Sequence, residues 1–108
     1  MSAERLSRLQ KWILAEAYRK GRRIHKWGPN EEGFFIYRKE IPDGFYGENK
    51  PKNYQVIISR SIRNLEKKEY IYRTYGERRK SYYDIFLTEY GVHKANSITG
   101  SIMEAFIQ

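Results

Sequence analysis

Residues 58–80 read "ISRSIRNLEKKEYIYRTYGERRK", and two hydrophobic periods meet inside them. Ile58, Ile62 and Leu65 recur at helical spacing, with Tyr54 one turn earlier, and "YIYRTY" at 70–75 then alternates as a strand does. The next residues, "GERRKS" at 76–81 and "YYDIFLT" at 82–88, supply a turn and a second alternating, aromatic-rich run. The stretch therefore predicts a helix over 51–68 that runs directly into a β-hairpin with a basic tip. Pro51 fits the first helical turn, where its missing N–H has no partner to lose.

Working outward, Thr88 is placed to cap a closing helix in which Ala95, Ile98, Ile102, Ala105 and Phe106 share a stripe. Gly91 and Gly100 each weaken that helix by about 1 kcal/mol relative to Ala. At the other end, "ERLSRLQKWILAEAYRKG" places Leu6, Leu9, Ile13, Leu14 and Ala17 at helical spacings, which predicts a helix over 3–20 with Gly21 as its C-cap. Pro29, Asn30 and Gly33 mark a turn, residues 34–36 a short strand, and "YRKEI" a short helix that Pro42, Gly44 and Gly47 end.

The expected order is helix, short strand, short helix, long helix, hairpin, helix. That is an α+β winged helix-turn-helix: a three-helix core with a β-hairpin wing and a C-terminal helix. We read one domain over 1–108, with the N-terminal helix in 1–20, the helix-turn-helix and wing in 36–88, and a C-terminal helix suited to dimerisation in 89–108.

Charge is segregated along the chain. Residues 1–28 hold 8 bases and 2 acids, 29–49 hold 2 and 5, 50–80 hold 10 and 3, and 81–108 hold 1 and 3, within a total of +8. Two basic blocks of this kind suit a polyanion, because Lys and Arg that neutralise phosphates release counterions. Nucleic acid is the first expected partner and an acidic membrane surface the second. The membrane reading fades because the apolar side of the long helix is committed to the core. The chain has no cysteine, so disulfides and Cys-based zinc sites are excluded. Its apolar runs are short and "MSAERLSRLQ" is charged where a signal peptide needs an apolar centre, so a soluble cytoplasmic protein is expected.

Projecting the long helix away from Ile58, Ile62 and Leu65 collects Asn53, Val56, Arg60, Arg63 and Lys67, with Lys52 and Asn64 at the margins. Any amphipathic helix puts charge outside, but this set also suits a major groove. Arg forks onto guanine O6 and N7, Asn pairs with adenine, and an outward Val56 meets a thymine methyl. Asn53, Val56 and Arg60, towards the N-terminal half, are expected on bases, and Arg63 and Lys67 on phosphates. The hairpin adds Arg78, Arg79 and Lys80 at its tip and Arg73 on its first strand, a basic turn able to follow a backbone or enter a minor groove.

The strings "ISRSIRNLEKKEYIYR", "ERR" and "YYDIFLTEYG" resemble the winged-helix core of MarR-type and related bacterial and archaeal transcription regulators. The matching positions are Leu65 and Glu66 at the helix end, Glu77 and Arg79 bracing the wing, and Leu87, Thr88 and Gly91 opening the next helix. Glu69 departs from the pattern, standing where the family has Gly. The resemblance implies a sequence-specific regulator that binds double-stranded DNA as a homodimer. The first and last helices, with Trp12 and Phe106 as anchors, are the expected dimer surface.

No catalytic or metal constellation is expected, and no cofactor. His25 and His93 lie far apart without Cys or carboxylate at ligand spacing. "PDGFYGENK" sets Pro42, Asp43, Glu48 and Lys50 in the order of a PD-(D/E)xK nuclease signature, yet its Pro and glycines suit a loop better than two strands. Ten tyrosines and two tryptophans could stack on single strands, although strand packing explains many of them equally well. A protein–protein adaptor on the same fold is the main alternative to a DNA-binding regulator.

Overall fold

A computed structural model describes residues 5–24, 33–75 and 83–107, except the side chains of 22–24, 75 and 101–107. Its elements are α1 (Arg8–Ile24), β1 (Phe35–Tyr37), a 3-10 turn (Arg38–Glu40), a wide π turn (Pro42–Tyr46), α2 (Tyr54–Lys67), β2 (Ile71–Tyr75), β3 (Tyr83–Leu87) and α3 (Glu89–Ile107). The strands form one antiparallel sheet in the order β1-β3-β2. The fold class is therefore α+β. Among the described residues no helix is long and apolar enough to cross a membrane.

The core lies where one face of the sheet meets the helices. Ile13 and Leu14 of α1, Ile58, Ile62 and Leu65 of α2, and Ile36, Ile71 and Ile85 of the strands are all buried. Ile41, between the two helical turns, closes one side of it. On the other face of the sheet, Phe35, Phe86 and Tyr72 are stacked across the strands, with ring centroids 4.9 and 5.5 Å apart. Cross-strand registry accounts for that row, since Phe86 lies opposite both Phe35 and Tyr72.

Helix α1 starts later than its apolar periodicity predicts because Ser7 and Gln10 form a capping box. The Gln10 amide donates to Ser7 Oγ at 3.1 Å and the Ser7 amide to Gln10 Oε1 at 2.9 Å. The buried Gln10 side chain also donates to the Ser61 carbonyl at 3.4 Å, tying α1 to α2. The helix also ends later than expected. Gly21 is not its C-cap but an interior residue pressed against Phe34, just before β1, where an added Cβ would lie 2.2 Å from Phe34 Cδ1. The expected break at Pro42 and Gly44 is instead the π turn, with Pro42 at its first position.

Helix α2 ends in a Schellman motif. The Tyr70 amide bonds the Leu65 carbonyl at 3.1 Å and the Glu69 amide bonds the Glu66 carbonyl at 2.9 Å. Glu69 takes the left-handed position there, at φ +67, without glycine's freedom. Thr88 then couples this end to the next helix. Its hydroxyl donates to the Glu69 carbonyl at 2.6 Å and accepts from the Gly91 amide at 2.9 Å as the N-cap of α3. Gly91 is needed for that junction, because a Cβ there would sit 1.9 Å from the Tyr70 carbonyl oxygen.

Candidate nucleic-acid interface

The buried stripe of α2 fixes what its other side presents. With Ile58, Ile62 and Leu65 fully buried, Lys52, Asn53, Val56, Arg60, Arg63, Asn64 and Lys67 are all exposed. Val56 is 48% exposed, an apolar side chain on an otherwise polar surface. Asn53 occupies the N-cap of α2 but makes no capping hydrogen bond through its side chain, so its amide faces outward unspent.

Ion pairing separates these cations from others nearby. Arg19 pairs with Glu16 at 2.6 Å, Lys20 with Glu40, Lys50 with Asp43 at 2.8 Å and Arg73 with Glu66 at 2.8 Å. Lys52, Arg60, Arg63 and Lys67 have no acidic partner among the described residues. A run of unneutralised charge along one helix face costs self-repulsion in the free chain and is relieved by a polyanion.

Arg73 stands apart from the other expected contacts. Its guanidinium bonds Glu66 and lies 5.3 Å from the Tyr83 ring centroid, so it braces the end of α2 against the hairpin. Arg78, Arg79 and Lys80, together with Glu77, lie outside the described residues. Arg38 was not foreseen: it donates to Gln55 Oε1 at 2.7 Å, which sets another cation beside the first turn of α2. No local spacing could have revealed that pair, because 17 residues separate its members.

The nuclease-like residues do not assemble as that chemistry requires. Asp43 lies in the π turn, ion-paired with Lys50, and Glu48 in the exposed turn that follows, so neither is on a strand. Among the described residues no group of three His, Asp or Glu side chains is placed to hold a metal ion. His93 is exposed on α3, and His25 lies outside the described residues.

Among the described residues one titrating group departs from its ordinary range. Asp84, on the outer face of the sheet, is held upward by burial and secondarily by the charge of Glu40. It is on β3 and belongs to neither basic surface. Compared with protein-family models, with curated proteins and with solved structures, the chain matches none.

Proposed function

We propose that this chain is a winged helix-turn-helix protein that binds double-stranded DNA sequence-specifically and regulates transcription. In this reading α2 lies in the major groove and the basic hairpin tip at 76–80 follows the backbone or enters the minor groove. The observation that carries it is the outward face of α2, where four exposed cations without an acidic partner among the described residues flank Asn53 and Val56. Asn53, Val56 and Arg60 are assigned to base edges, Arg63 and Lys67 to phosphates, and Lys52 and Asn64 to the margins. Arg73 supports the wing from within the fold and, paired with Glu66, adds no net charge toward the duplex until that pair is broken. The sheet order β1-β3-β2, with α2 running directly into the β2-β3 hairpin, is compatible with this architecture.

The proposed protein is non-enzymatic and works as a homodimer, its contact surface carried by the last helix rather than by the Trp12 face of the first. Trp12 supports that dimer less than expected, because its ring is already engaged with Gly44 and Phe45 of its own chain. The test is fluorescence anisotropy of a labelled duplex across a salt series. With roughly six phosphates neutralised, log K falls against log salt with a slope near −5. An adaptor gives no duplex binding and no such slope, and that result would discard the proposal.

A further inference from the structure

Helix α1 carries two stripes where folding needs one. Leu9, Ile13, Leu14 and Ala17 are buried in the core. A second set, Arg8, Lys11, Trp12, Ala15 and Arg19, lines a groove of about 510 Å³ together with Phe45 of the π turn and Ile98 of α3. The floor is built by the fold. Trp12 meets Phe45 edge-on at 5.9 Å and lies so close to Gly44 that an added Cβ would come within 2.7 Å of the indole. The rim is charged: Arg19 is paired with Glu16, while Arg8 and Lys11 have no acidic partner among the described residues.

We propose that this groove docks an acidic amphipathic helix from a partner protein. Charge complementarity and an apolar floor must both be satisfied, and that selects the occupant. A phosphate backbone would meet Arg8 and Lys11 but leave Trp12, Ala15, Phe45 and Ile98 without an apolar partner. A second copy of this chain, docked face to face about a two-fold axis, would set the same cations against each other. A helix with Leu-like anchors on one side and carboxylates beside them fills the floor and neutralises the rim. From Arg8 to Arg19 the stripe runs about 16 Å, or three helical turns, which sets the length of segment it can hold. None of these residues belongs to the α2 face, so the inference stands or falls independently of DNA binding.

The probe is a fluorescein-labelled designed helix of about 14 residues, Leu at one helical stripe and Glu elsewhere, measured by polarisation against the full chain. The control is a scrambled peptide of the same composition. The designed order binds at least about tenfold more tightly than the scramble, and Arg8→Glu or Lys11→Glu weakens it by about tenfold each. Lys67→Glu, on α2, leaves it unchanged. Equal binding of both peptides would reduce the groove to a patch of charge and overturn the proposal. So would a free dimer in sedimentation velocity that Lys11→Glu dissociates, since a second copy would then be the occupant. The comparison of the two peptides on the unaltered chain needs no variant to fold.

Discussion

The outer sides of α1 and α2 both present Arg and Lys, but they surround different things. On α1, Arg8, Lys11 and Arg19 border an aromatic floor of Trp12 and Phe45. On α2, Lys52, Arg60, Arg63 and Lys67 stand with Asn53 and Val56 on an exposed face that, among the described residues, has no aromatic floor. Positive charge alone would make the two surfaces equivalent. What lies between the charges separates them, because a phosphate chain asks for cations and donors along a ridge, whereas an amphipathic helix asks for apolar surface inside a charged rim.

The largest effect is expected from reversing charge on α2. Arg60→Glu with Arg63→Glu should weaken duplex binding by about 100-fold or more, with the designed acidic helix still bound to α1. Loss of both activities together, measured by anisotropy on the same preparation, would break the distinction between the surfaces. Next comes a change that touches the fold and neither surface. Gly91→Ala drives a Cβ into the Tyr70 carbonyl at the junction of α2 and α3, and should cost about 2–3 kcal/mol in urea unfolding. Below the unfolding transition both binding activities should persist.

A smaller effect probes pairing itself. Glu66→Gln releases Arg73 from its carboxylate at the end of α2. It should raise duplex affinity roughly threefold while lowering stability by about 0.5–1 kcal/mol. Unchanged affinity would mean that the paired and unpaired cations do not differ as described.

The smallest change belongs to Asp84, away from both helices. Burial and then Glu40 raise its proton affinity in the folded chain, so the ionised carboxylate is penalised at neutral pH. Asp84→Asn should raise Tm by about 1 degree near pH 7, because solvent screens most of the penalty at this partly exposed position. The sign follows from linkage: as pH falls through the raised pKa the native chain takes up the proton, the penalty is relieved, and the advantage of Asn should vanish in a pH series.

The sequence exposed those parts of the fold whose cause is local. The helix at 54–67 and the hairpin at 71–87 follow from a change of hydrophobic period, and their observed bounds lie within a few residues of the expected ones. The start of α1 was missed, because the apolar periodicity extends past Ser7 and Gln10 although these have the spacing of a capping box. Glycine was the harder residue to read. Gly21 and Gly91 look like helix breakers in sequence, yet both sit inside helices where another chain segment comes too close for a Cβ. Glu69 shows the reverse, taking a left-handed position without being glycine because the Schellman bonds and Thr88 hold it there.

The outward face of α2 could be projected from its buried stripe, which is why all of its expected residues are exposed. The pairing of Arg73 with Glu66, the approach of Arg38 to Gln55 and the groove over Trp12 could not, since each joins elements that only packing brings together.

The most direct measurement of the central claim is the salt dependence of duplex binding for the parent chain beside Arg63→Gln with Lys67→Gln. If the bare face of α2 supplies the phosphate contacts, the double variant should bind with a slope shallower by about 3.6 in log K against log salt, close to 0.9 for each of the four contacts removed from the homodimer. Identical slopes for the two proteins would place the phosphates elsewhere and contradict the account.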